Sequence, residues 1–259
     1  MFYGMNPDQV DEYRKFAQEK LGLEFHDIGL LITALTHRSY VNEHKISAGN
    51  HNERLEFLGD AVLELVTSDF LYHTYNEPEG IMTAWRAALV RTESIYEAGQ
   101  ELGYEPLVRL SHGERRGSER AHSVILADCF EAVIGAVYLD QGYDTAKALI
   151  EKHILSKIND IIENGTWRDA KTHLQEICQH YETVTPQYRT LREDGPDHDK
   201  MFQVGVYIGR FLKGTGTGHS KQEAQTKAAI KAIKYYEKDH PELKYRPVLS
   251  DEFKNTEKN

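Results

Sequence analysis

Glu53, Glu56, Asp60 and Glu64 follow one another at spacings of three, four and four in HNERLEFLGDAVLEL, residues 51–65. At about 100° per residue these four carboxylates fall on one stripe of a helix. Like charges at such spacings weaken a helix slightly, so the stripe either faces water or faces something positive. Leu55, Leu58, Val62, Leu63, Leu65 and Val66 lie between the acids and supply a face for burial. A second pair, Asp128 and Glu131, stands at i, i+3 in LADCFEAVIGAVYLD among Leu126, Phe130, Val133 and Ile134. Two unpaired acids buried there would cost several kcal/mol and would need a proton or a cation. Carboxylates without His or Cys suit a hard ion such as Mg²⁺, with Mn²⁺ able to substitute. Two such ions can activate water and stabilise the leaving oxygen of a phosphodiester. Spacing alone equally allows ordinary solvated acids, since charged helix faces are common.

Other reactive types carry less. His37 and Ser39 in LTHRSY lack a third, orienting acid at any useful spacing, so they are expected to pack a helix end through local hydrogen bonds. Cys129 and Cys178 have no metal-type spacing and are expected to be reduced thiols in a cytoplasmic protein. A carboxylate-bridged di-iron bundle would want Glu-x-x-His pairs, which do not accompany these acids.

The elements that must position the acids are read from period and punctuation. Residues 1 to about 160 read as helical almost throughout, with long helices over about 52–75, 81–103, 123–142 and 144–163. NGTWRD, 164–169, breaks the pattern. Beyond it the order is helix, three alternating strands and a final helix, an antiparallel sheet with both helices on one side. Ala224, Ala228, Ala232 and Tyr236 share one face of that last helix. The polar tail 239–259 is expected to be disordered. No continuous apolar run of membrane-spanning length and no secretory leader is read, so no membrane partner is expected. The formal net charge of −10 is uneven: residues 1–168 carry −11 and residues 169–238 carry +2, which suggests two modules with different partners.

HNERLEFLGDAVLEL, with LTHRSYVNEH upstream and ILADCFEAVIGAVYLDQG downstream, resembles bacterial ribonuclease III, the double-stranded-RNA endonuclease family. KTHLQEICQ, PQY, GPDHDKMFQVGVYI and GTGTGHSKQEAQTKAA are similar to a double-stranded-RNA-binding domain. The resemblance covers about residues 10–238. It implies an all-α endonuclease domain over 1–163 (core about 9–141), a linker over 164–168 and a small α+β (α-β-β-β-α) RNA-binding domain over 169–238. It further implies metal ligands at Glu56, Asp60, Asp128 and Glu131, with Asp60 and Glu131 most important for activity. Supporting acids are implied at Glu53 and Glu79, whereas Glu64 is expected to be a solvated acid without a catalytic part. The implied products carry 5′-phosphate and 3′-hydroxyl ends, in rRNA and mRNA processing. The alternative is a non-catalytic duplex-RNA-binding protein on the same fold, which loss of any of the four acids would signal. None is lost.

Phe57 would read as core from pattern alone, but the resemblance implies a homodimer in which this ring enters a partner pocket. On the second module, Gln175 and Gln179 are implied to reach 2′-hydroxyls or base edges, and His198 to enter the next minor groove. Lys221 is implied to hold phosphate at the start of the last helix, and Lys227 is a further candidate. Two departures stand out: Val124 replaces a Ser found in some members, and Gln222 replaces a second basic residue after Lys221. The latter is expected to weaken phosphate attraction and its salt dependence.

Overall fold

A computed structural model describes residues 5–44, 50–196, 200–251 and 253. The chain divides into two compact units, residues 1–159 together with 248–259, and residues 160–247.

The first unit is helical. α1 (Pro7–Phe16) starts with Pro at its first position and a reciprocal cap between Asn6 and Gln9. α2 (Ile28–Ala34) and α3 (Arg38–His44) follow, separated by Thr36, which pairs with Arg109. The LTHRSY turn is held locally: Thr36 Oγ1 donates to the Ile32 carbonyl at 2.6 Å, and His37 Nδ1 lies 2.8 Å from Ser39 Oγ. α4 (Glu53–Thr74) carries the acid stripe, and α7 (Glu119–Gln141) carries the second pair. α7 is the core of the unit, packed by α2, α4, α6 (Thr92–Leu102) and α8 (Tyr143–His153). Apart from Asp128 and Glu131, its residues from Ile125 to Val137 are all buried. Its length and mean hydropathy would suit a membrane span, and this burial accounts for that apolar character.

Two expected helices are broken. The stretch 81–103 forms α5 (Glu79–Leu89) and α6, with Arg91 extended between them. Trp85, Ala88 and Leu89 are buried in the one, and Ile95, Ala98 and Leu102 in the other. On one straight helix these two stripes would point roughly 100° apart, so the break lets both face the core. The stretch 144–163 likewise divides into α8, a short 3-10 turn (Leu155–Lys157) and α9 (Ile158–Asn164), which spans the division between the units.

The second unit has the expected α-β-β-β-α order: α10 (Ala170–Tyr181), β1 (Gln187–Asp194), β2 (Met201–Ile208), β3 (Phe211–Gly218) and α11 (Lys221–Asp239). The strands pair antiparallel in the order β1-β2-β3. Both helices share one core with the sheet, through Leu174, Ile177, Val206, Ile208, Ala228 and Ala232. The alternation GTGTG sets how close α11 can come. A Cβ on Gly216 would stand 2.2 Å from the Ala224 carbonyl oxygen, and one on Gly214 would stand 2.4 Å from that of Ala228. Glycine on the strand and alanine on the helix therefore meet backbone to backbone.

The described part of the tail and the linker carry structure that the sequence did not lead one to expect, and residues 252 and 254–259 of the tail lie outside the described residues. Trp167 and Arg168, read as linker, belong to the second unit, where the Arg168 guanidinium sits 4.3 Å from the Trp167 ring and 4.8 Å from that of Tyr245. Pro241–Leu243 form a 3-10 turn, and Leu249 forms an antiparallel bridge with Tyr75 in the first unit. Val248 N–H donates to Glu77 Oε1, and Ser250 N–H donates to the Thr74 carbonyl at 2.9 Å. Polar composition suggested disorder, but the open carbonyls at the end of α4 offer this backbone a partner.

Candidate active site and nucleic-acid face

The two acid pairs lie on helices whose backbones touch. A Cβ on Gly59 of α4 would stand 1.8 Å from the Glu131 carbonyl oxygen of α7, and one on Gly135 would stand 2.2 Å from that of Leu55. Only glycine permits this approach, and it brings Glu56 and Asp60 beside Asp128 and Glu131. The start of α4 is fixed as well: Asn52 Nδ2 donates to the buried Cys129 Sγ at 3.6 Å, and Asn52 N–H donates to the Thr36 carbonyl at 2.9 Å. Burial pushes the Cys129 thiol far up, so it packs as a neutral group.

Crowding shows in the acids themselves. Glu131 is pushed up to about 8, first by burial and then by repulsion from Asp60, Asp128, Glu56 and Glu64. Glu56 is raised by burial and by Asp128, Glu53 and Asp60. Burial also raises Asp128. Glu56 and Asp128 line an open groove of about 800 Å³ together with His37, Arg38, Glu53 and Arg120. Asp60 and Glu131 are not part of its lining.

These carboxylates fit a hard divalent ion by donor type. Among the described residues, however, no three His, Cys, Asp or Glu side chains are gathered closely enough to form a closed ligand cage. An open set suits Mg²⁺, which keeps several waters and takes only one or two carboxylates along with substrate phosphate.

The remaining acids are sorted by their partners. Glu53 is exposed, 3.3 Å from Arg38 Nη1 and 3.6 Å from His51 Nδ1, at the edge of the groove. Glu64 is ion-paired rather than simply solvated, with Oε2 3.0 Å from Arg86 Nε. Glu79, expected to support the site, is not among the charges that raise Glu56 or Glu131. It accepts from Thr83 Oγ1 at 3.0 Å and borders a different cavity, of about 450 Å³, with Leu65, Leu71, Tyr72 and Met82. Phe57, on α4 beside Glu56, is 80% exposed, so the core reading fails for it. Leu65 and Tyr72 on the same helix are 58% and 70% exposed.

On the second unit Gln175 and Gln179 are both exposed, one turn apart on α10. His198 lies outside the described residues. Lys221 opens α11, where Ser220 caps the helix by accepting from Glu223 N–H. Contrary to the picture of a free phosphate hook, Lys221 Nζ lies 2.8 Å from Glu193 Oε1 of β1. Lys227 Nζ lies 2.6 Å from Glu223 Oε1, and Glu223 Oε2 accepts from His219 N–H at 2.8 Å.

Sequence reasoning missed Gly59 and Gly135 as spacers, Arg120 on the groove wall, and Glu193. The repeated small-residue runs LGDAV and VIGAV were the available signal for the glycines. The ion pair of Lys221 with a strand end 28 positions away left none.

A model described as Ribonuclease-III-like matches residues 27–158, and one described as the double-stranded RNA binding motif matches residues 170–236. A relative named Ribonuclease 3 from Pelotomaculum thermopropionicum is 44% identical over 228 residues, covering 88% of this chain and 94% of its own. Another of that name, from Enterococcus faecalis, is 44% identical over 218 residues, covering 84% and 94%. A solved nuclease domain of ribonuclease III from Campylobacter jejuni is 36% identical and covers 58% of this chain and 99% of its own, at a TM-score of 0.48.

Proposed function

The chain belongs to the ribonuclease III family, and from that premise we propose that it cuts both strands of duplex RNA by metal-assisted hydrolysis at Glu56, Asp60, Asp128 and Glu131. The observation that carries this reading is the glycine crossing of α4 and α7, which brings the helices that carry the two acid pairs into backbone contact, with Glu131 raised to about 8 by burial and by repulsion from the other acids. Like charges are kept together at a cost only where an ion or a proton relieves them.

When bound, divalent metal supplies a polarised phosphate and a water acidified toward hydroxide. Asp60 and Glu131 are the ligands assigned the largest share of activity, with Glu56 and Asp128 completing the set. Glu131 must give up the proton that its surroundings favour before its carboxylate can serve as a ligand. Arg38 and Arg120 on the groove wall offset the acids' repulsion of an RNA backbone. No covalent intermediate on the enzyme is called for, and attack by water with departure of the 3′-oxygen leaves 5′-phosphate and 3′-hydroxyl ends. Processing of rRNA and mRNA in the cytoplasm is the corresponding cellular role.

The active form is a homodimer on this reading. Phe57 is an exposed ring, and the cavity lined by Leu65, Leu71, Tyr72 and Met82, with Ser68, Asp69, Glu79, Thr83 and Arg86 around them, offers apolar surface to a partner's ring. Phe57→Ala is expected to weaken self-association at least about thirtyfold. A variant that sediments like the parent at every concentration removes Phe57 from the interface.

Labelled duplex RNA with Mg²⁺ tests the chemistry. The parent chain is expected to cleave it, and Glu131→Gln to bind without cleaving, as does the parent in EDTA. Cleavage that survives either change sinks the metal mechanism. The non-catalytic alternative holds if the parent binds duplex but never cuts it.

A further inference from the structure

The residues assigned to phosphate on the second unit are already occupied by the chain's own carboxylates. Lys221 Nζ and Glu193 Oε1 are 2.8 Å apart, and Lys200 Nζ approaches the other oxygen, Glu193 Oε2, at 3.9 Å. The placement is built into the sheet. Glu193 pairs across the strands with Phe202, and the Lys221 ammonium lies 5.4 Å from the Phe202 ring. Phe202 thus lies at once against the strand that carries the acid and beneath the stem that carries the cation. Lys221 holds the Glu193 carboxyl below its ordinary range, so the acid is fully charged at neutral pH. One turn into α11 the pattern repeats, with Glu223 bonded both to Lys227 and to the His219 amide at the helix start. A carboxylate thereby takes one backbone donor just ahead of the helix start as well as the Lys227 ammonium. Gln222, between these residues, adds no charge of its own.

We propose that Glu193 is an affinity-setting residue of the RNA face: it holds Lys221, and a phosphate must displace it to bind there. The inference rests on the reading of this unit as a duplex-RNA binder. A lysine surrounded only by salt gives up mobile ions when RNA arrives, and that release drives binding at low salt. Lys221 gives up a carboxylate tethered to the same chain, which gains no such freedom. Its contribution to affinity and to the salt dependence is accordingly muted. Glutamine at position 193 keeps the shape and removes the competitor.

The full-length chain tests this in EDTA, with fluorescence anisotropy of a labelled duplex RNA across a potassium chloride series. Glu193→Gln is expected to bind about twofold to fivefold tighter at low salt. The slope of log affinity against log salt should steepen by up to about one. On a Lys221→Gln background the same substitution should lose most of this gain, which separates a specific pair from a general change in charge. Glu193 is exposed, and circular dichroism checks that each variant keeps its fold. Equal affinity for Glu193→Gln and parent overturns the inference, as does an equal gain with and without Lys221. A parent chain that binds no duplex overturns the reading of the unit and the inference with it.

Discussion

In the helical unit Glu56, Asp60, Asp128 and Glu131 lie near enough to repel one another, and burial together with that repulsion raises Glu131 to about 8, whereas in the sheet unit Lys221 and Lys227 each already hold a carboxylate. One site concentrates charge of a single sign, and the other cancels charge locally. On the proposed function both serve the same polyanion. On that reading the acid cluster gains most by recruiting a cation that neither the chain nor the RNA supplies. The lysine face gains little from any one phosphate, because each contact formed there costs one lost. Affinity on that face then comes from adding many modest contacts along a duplex, which short or single-stranded chains cannot supply together.

The contrast is broken most severely at Glu131. Its replacement by glutamine should lower the cleavage rate at least about a hundredfold, since loss of groups that merely support a metal ligand costs about ten- to a hundredfold and Glu131 is itself a proposed ligand. Lys221→Gln, measured on the same duplex, should change cleavage only a fewfold. Comparable losses would mean that the two faces do not differ in the manner described.

Next in size is the spacer. Gly59→Ala places a methyl group where the Glu131 carbonyl stands, and the forced separation of α4 from α7 should cost about 2–3 kcal/mol. Urea unfolding measures it, and an unchanged midpoint would show that the crossing yields easily.

A smaller effect separates the sites by pH. Glu131 titrates at about 8 when folded, against 4.5 as its ordinary value, so between these limits the folded chain binds more protons than the unfolded chain. Stability of the metal-free chain therefore falls as pH rises through that window. His37, His153 and His173 are held below 6.5 by burial and oppose this trend only below that value. Thermal midpoints in EDTA should decline from about pH 6.5 to about pH 8.5, and Mg²⁺ should restore more at the upper end. A flat profile would mean that the acids are less buried and less crowded than their arrangement indicates. The smallest change is that of Glu193→Gln, where the cancelled face is made more like an ordinary basic one.

Local pattern carried much of this to the reader of the sequence. The acid pairs, the change from a helical period to an alternating one, and the alanine face of α11 are all written within a few turns of chain. The breaks at Arg91 and near Ile154 were hidden because each side of the break has a sound helical period; only the direction of the buried face changes. Glu193 and Lys221 meet only after β1 has paired with β2 and α11 has packed against the sheet. The bridge of Leu249 to Tyr75 joins positions that no window connects, and polar composition there pointed the other way. Phe57 was ambiguous for a physical reason: an aromatic ring amid leucines is equally suited to a core and to a partner.

Gly59 and Gly135 act as a gauge. Side chains interlock with some play, because rotamers can shift by an ångström, but two backbones in contact have almost none. The separation of the two acid rows is therefore set by the thickness of the peptide chain itself. On the proposed function the ion recruited there would be magnesium, which tolerates little error in its coordination, and two absent methyl groups would set the spacing that it needs.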